Sequence, residues 1–176
     1  MSQISKDADK VDLFLDTAEK KLADFHPEWT FVAGYNQWRM DLPIELPSGA
    51  QLATLKYSAS DRNRSRFSSQ LFWRNRPVFR LDIEETDGPT VREHDQPIWV
   101  EKLGLPSLIV GPHIHTWQHN RDQICHTSNW ELIARVPFEH KMNTVQQMHK
   151  WSLNYLKLEA EQDKWDIPGL PSGGLF

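Results

Sequence analysis

Between Trp38 and Glu84 the chain changes side every second residue, and that period limits its fold more than any other feature. Trp38, Met40, Leu42 and Ile44 alternate with Arg39, Asp41 and Pro43. Successive side chains of a strand point to opposite faces, so this pattern describes a strand with one buried face. Pro47-Ser48-Gly49 supplies a turn, and Gln51 to Tyr57 returns as a second strand. Phe67 to Trp73 and Val78 to Glu84 form a hairpin across Arg74-Asn75-Arg76-Pro77, with Phe79, Leu81 and Ile83 on one side and Arg80, Asp82 and Glu84 on the other.

The ends carry a different period. Val11, Phe14, Leu15, Ala18, Leu22 and Phe25 recur at three- and four-residue spacings, which predicts an amphipathic helix over roughly residues 6 to 24, stopped by Pro27. Val145, Met148, Trp151, Tyr155 and Leu158 predict a closing helix over roughly 144 to 162, with Asn143 as its N-cap. Ser107 to Trp117 reads as a strand bending at Gly111-Pro112, and Trp130 to Val136 as the last strand. Glu85 to Pro97 is a loop marked by Asp87-Gly88-Pro89, and Ser58 to Arg64 is a polar connection. The fold class is therefore α+β: mainly an antiparallel β meander flanked by an N-terminal and a C-terminal helix. One domain is expected over 1–162, followed by a Pro/Gly-rich C-terminal tail over 163–176.

Composition excludes some classes. Of 176 residues, 39% are hydrophobic and 25% charged, which is globular rather than disordered usage. A net charge of −4 argues against coating nucleic acid with the whole surface, but not against a local basic patch. Cys125 is the only cysteine, so no intramolecular disulfide forms, and a reducing compartment is favoured. The N-terminus lacks signal-peptide features and no apolar run spans a membrane, so a cytoplasmic location without membrane partners is expected.

Two clusters carry chemistry. Arg62, Arg64, Arg66, Arg74, Arg76 and Arg80 crowd one hairpin beside Phe67, Phe72, Trp73 and Phe79. Guanidinium forks suit phosphate, and neighbouring aromatics such as Trp73 suit base stacking. Arg62, Arg64 and Arg66 would line one face of an extended segment. The plainer alternative is a solvated hairpin whose arginines pair with Asp82, Glu84, Glu85, Asp87 and Glu93. The second cluster is His113, His115, His119 and His126. On a strand His113 and His115 share a face, which makes half of a site for a zinc-like divalent metal. His119 or His126 could add a ligand, and Asp82 or Glu131 a carboxylate. Without metal, the same pair suits general acid–base work on a phosphodiester held by Arg80. The plainer reading here is a sheet surface with both histidines hydrogen-bonded to Asp82 or backbone. His94, His26, His140 and His149 read as ordinary surface or packing residues.

Gly111-Pro112-His113-Ile114-His115-Thr116-Trp117 resembles the strand of the histidine-triad nucleotide hydrolases, with Trp117 in the third histidine's place. That resemblance implies His115 as the nucleophile. Over roughly residues 35 to 160 the layout also resembles a family of small uncharacterised bacterial and prophage proteins, through Arg80-Leu81-Asp82, Asp87-Gly88 and the Gly-x-His-x-His segment. This implies a mobile-element or phage-defence context. The leading expectation is a phosphate-bearing ligand (RNA, single-stranded DNA or a nucleotide) bound by the arginine hairpin, with His113 and His115 as candidate catalytic residues. The alternatives are a protein-binding module of inhibitor or antitoxin type, with the Arg/aromatic hairpin as its interface, and a metal-dependent hydrolase using His113 and His115.

Overall fold

The computed structural model describes residues 3–17, 19–23, 27–84, 92–159 and 166–171. Its frame is the meander read from the sequence: β3 (Gln37–Glu45), β4 (Gln51–Ser60), β5 (Phe67–Trp73) and β6 (Arg76–Ile83), each antiparallel to the next. Arg74 and Asn75 both take positive φ, the conformation of the two-residue turn that matches strand twist. A register shift near Phe72 follows, so Val78 and Phe79 are both buried before alternation resumes.

Among the described residues, five short strands extend this frame. β1 (Lys20–Leu22) and β2 (Thr30–Val32) pair with β3, and β11 (Leu158–Glu159) runs parallel to β1. On the other side β9 (His113–Thr116) pairs with β6, and β10 (Val136–Pro137) with β9. Among the described residues, β7 (Glu93–Asp95) and β8 (Leu108–Val110) form a separate two-stranded sheet. The fold is α+β, as expected.

One face of the sheet carries Met40, Leu42, Ile44, Leu55, Tyr57, Leu71, Phe79 and Leu81, all buried in one core with Val11 and Phe14 of α1 (Gln3–Asp16) and Met148 and Leu153 of α3 (Val145–Tyr155). A buried polar layer fixes α3 on this face: Tyr57 Oη lies 2.7 Å from His149 Nδ1, and Ser69 Oγ 2.9 Å from Ser152 Oγ. His149 is thus a packing residue.

Several boundaries differ from the sequence reading. The first helix stops at Asp16 because Lys20 turns back on it, its ammonium donating to the carbonyls of Leu15 (3.0 Å) and Thr17 (2.6 Å). Residues 20–22 then join the sheet, where Leu22 pairs with Ile44. The expected helical positions Ala18 and Phe25, and His26, lie outside the described residues, as do Asp87-Gly88-Pro89 and the end of the tail. The expected 107–117 strand is two strands in different sheets, divided by Gly111 at φ 77°. Trp117 opens a helix with no counterpart in the sequence reading, α2 (Trp117–Thr127), capped by the Thr116 side chain. Of the expected 130–136 strand, only Val136 enters a ladder. The closing helix ends at Tyr155, with Thr144 rather than Asn143 as N-cap in a reciprocal box with Gln147. Part of the tail is docked: Ile167 is buried, Trp29 Nε1 donates to Pro168 O (2.8 Å), and Arg64 donates to Pro171 O (2.7 Å).

Candidate metal centre

The second face of the sheet is polar, and its register aligns two rows of side chains across five strands. One row runs Arg39, Ser58, Ser68, Asp82, His113; the next runs Asp41, Lys56, Gln70, Arg80, His115. Antiparallel pairing of β6 with β9 is what sets Asp82 opposite His113 and Arg80 opposite His115. The two sequence clusters therefore meet at Arg80 and Asp82.

Asp82, His113 and His115 are all buried. Asp82 Oδ2 lies 3.4 Å from His113 Nε2 and 3.7 Å from His115 Nε2. One ligand atom from each of the three residues falls within 4.8 Å of the others. The opposite ring nitrogen of His113, Nδ1, lies 2.9 Å from Gly111 O. A carbonyl only accepts, so Nδ1 carries a proton and donates, which turns Nε2 toward the carboxylate. Arg80 Nε donates to Asp82 Oδ1 (2.9 Å) and lies 2.7 Å from Oδ2, so the guanidinium sits across the carboxylate, while His115 Nδ1 is buried without a hydrogen-bond partner among the described residues. A buried carboxylate oxygen facing two imidazole nitrogens is a donor set that a cation could bind.

The charge states agree with that reading. Burial pushes the Asp82 carboxyl up, but the contact with His113 and the charge and hydrogen bond of Arg80 outweigh it and hold the group at about 2. Burial pushes the His115 imidazole down to about 3, helped by the positive surroundings of His113, Arg80 and Arg135 against the pull of Asp82. At neutral pH the site thus offers an ionised carboxylate beside a neutral imidazole.

A second grouping shares His113. His94 Nε2 lies 3.0 Å from Glu84 Oε2, and the His94 ring sits 4.5 Å from that of His113, centroid to centroid. Glu84, His94 and His113 also bring ligand atoms within 4.8 Å of one another. The sequence reading set His94 aside as an ordinary loop residue; the β7–β8 pairing, His94 opposite Ile109, is what carries it over the site. Gln96 holds this segment down, accepting from Arg135 N (2.6 Å) and donating to Pro106 O (2.7 Å). Neither His94 nor Arg135 has a sequence signal, since their approach to the site depends on contacts across long loops.

The remaining expected residues fall elsewhere. His119 and His126 ride on α2; His119 Nδ1 lies 2.6 Å from Thr116 Oγ1, and His126 is exposed in the last turn. Neither belongs to the histidine and carboxylate groupings among the described residues. The arginines do not form one patch. Arg62, Arg64 and Arg66 sit in the turn between β4 and β5, which is not extended, since Arg66 N donates back to Asn63 O (3.0 Å). Arg74 and Arg76 lie at the far end of β5, about 20 Å away at ~3.3 Å per residue. Arg76 is committed to Asp7 (2.8 Å) and lies over the Trp130 ring. Trp73 is only 3% exposed and is a core residue, not a stacking platform; Phe67 and Phe79 are buried with it.

Against Asp82, a hollow of about 280 Å³ is lined also by Glu84, Ser68, Arg66, Arg80 and Arg92, among others. No protein-family model, curated protein or solved structure matches this chain. No described helix is long and apolar enough to cross a membrane.

Proposed function

We propose that the chain is a metal-dependent enzyme acting on a phosphate-bearing ligand, with a zinc-like cation held by Asp82, His113 and His115. The observation that carries this reading is the buried trio itself, with Asp82 Oδ2 facing two imidazole nitrogens at 3.4 and 3.7 Å. Ligands at ~2.0–2.2 Å from zinc define a tetrahedron with edges of about 3.3–3.6 Å, close to these separations. Octahedral magnesium, with ligands at ~2.0–2.1 Å, needs edges of about 2.9 Å and prefers oxygen donors. Three protein ligands leave the fourth position of a tetrahedral site for water or substrate, the arrangement of catalytic rather than structural zinc.

His113 is prepared for the role: its Nδ1–H donates to the Gly111 carbonyl, which orients the ring and leaves Nε2 for metal. The cation would supply Lewis acidity and a nucleophilic water near neutral pH. Arg66, Arg80 and Arg92 around the adjoining hollow would hold the anionic group being attacked. In hydrolysis, the water oxygen bonds to phosphorus, the ester P–O bond breaks, and the departing oxygen takes the proton.

The test is zinc uptake by metal-stripped full-length protein, followed by titration calorimetry and elemental analysis. One zinc per chain is expected, lost in Asp82→Asn and in the double variant His113→Ala/His115→Ala. Hydrolysis of bis(p-nitrophenyl) phosphate should follow zinc content across these variants. No zinc uptake by the folded wild-type chain would sink the reading and leave the three residues as a cluster sharing a proton.

A further inference from the structure

We infer that the ligand of this site is a single nucleoside phosphate, with its phosphate among Arg66, Arg80 and Arg92 and its flat body in the neighbouring large cavity. The inference rests on the metal-site reading and narrows its substrate. A second cavity, of about 660 Å³, opens next to the arginine-lined hollow, and Phe67, Ile83 and Glu84 form walls of both. Its size lies within the range of ~300–1,000 Å³ that small-molecule sites occupy.

The two spaces differ in chemistry in the way a nucleotide does. The hollow of about 280 Å³ presents three guanidinium groups beside Asp82, which suits a phosphate bridged to a cation. The larger cavity adds Pro112, Phe138 and Met142 to the shared apolar walls, a surface for a planar ring system. Its rim carries Asn143 and His140, side chains that both donate and accept and can therefore read the polar edge of a base. A free phosphate would leave this second space unused.

A polymer fits less well. Strand binders need a continuous basic track with stacking platforms along it. Here the arginines are divided between the two ends of β5, Arg76 is tied to Asp7, and Trp73 is inside the core. Net charge of −4 adds repulsion along any path outside the hollow.

The experiment is calorimetric titration of the zinc-loaded full chain with AMP, CMP, GMP, UMP, inorganic phosphate and a short single-stranded DNA oligomer. At least one nucleotide should bind about tenfold or more tightly than inorganic phosphate, the ratio expected if the ring buries on the cavity wall. Met142→Glu should abolish that advantage without changing phosphate affinity. Asn143→Ala, at an exposed position, should narrow the preference among bases without altering the fold. Four nucleotides no tighter than phosphate would overturn the inference, and so would an oligomer that outcompetes them with a steep salt slope. Zinc uptake sensitive to Asp82→Asn, read in the same preparations, would keep the metal reading standing in either case.

Discussion

At the scale of single residues, the site turns on which atoms hold protons. His115 is buried and neutral in the fold, held down to about 3, whereas in the unfolded chain it has its ordinary value near 6.5. As pH falls below about 6.5 the unfolded chain takes up a proton that the folded chain does not, so stability is lost progressively down to about pH 3. Asp82 acts lower: its contribution is complete above about 3.8 and disappears as pH falls through about 2. In metal-stripped protein, His115→Asn should therefore remove up to about 1.4 kcal/mol per pH unit from the slope of stability between pH 6 and 4. Urea midpoints of both proteins at several pH values check this; parallel profiles would contradict the burial argument. Gly111 makes a second residue-scale case. Its φ of 77° is left-handed, and its carbonyl accepts the His113 Nδ1–H bond. Gly111→Ala should cost about 1 kcal/mol of stability and, by turning that carbonyl, about 10–100-fold in zinc affinity. Unchanged zinc affinity would show that the carbonyl does not orient the ring.

At the scale of elements, the unforeseen helix α2 matters most, because it follows directly on the strand that carries both histidines. Asn120, buried on its inner face, donates to Thr116 O (2.9 Å) and Ala134 O (3.2 Å) and accepts from Ala134 N (2.7 Å). One amide thus joins the end of β9 to the segment presenting Arg135. Asn120→Ala leaves buried backbone groups unpaired and should cost about 2–3 kcal/mol. Denaturant unfolding measures the loss, and a change below about 0.5 kcal/mol, the scale of surface substitutions, would mean this junction relaxes freely. The helix was hidden in sequence because Trp117, Gln118, His119 and Asn120 lack a strong apolar period, and its cap, Thr116, is also the last residue of a strand. The meander, by contrast, was legible because its alternation and its Arg74-Asn75 turn are local features.

For the whole molecule, residues 166–171 act as a strap across elements far apart in sequence. Gln146 accepts from Ile167 N (3.1 Å), Trp29 donates to Pro168, Arg64 donates to Pro171, and Ile167 joins the core. Removing residues 166–176 deletes the buried Ile167, uncovers the core it packs on and leaves its hydrogen-bond partners to solvent, and should cost about 2–4 kcal/mol. The melting temperature of the shortened chain tests this, and an unshifted value would show the strap to be passive. One arginine of the hairpin therefore has a structural use, which an electrostatic reading of the sequence does not distinguish from ligand binding.

Local rules in the sequence determined the class of fold, the four central strands and the pairing of His113 with His115 on one face. Each depends only on period two, turn chemistry and helical spacing, which are written in neighbouring residues. Tertiary structure alone decided which of the candidates meet. The register of β6 against β9 set Asp82 and Arg80 beside the histidines, and the β7–β8 pair brought His94 over His113. The length of β5 separated arginines that looked like one patch, and burial took Trp73 into the core. Register and burial are settled by the competition of many apolar side chains for one core, so a reading of each segment by itself does not reach them.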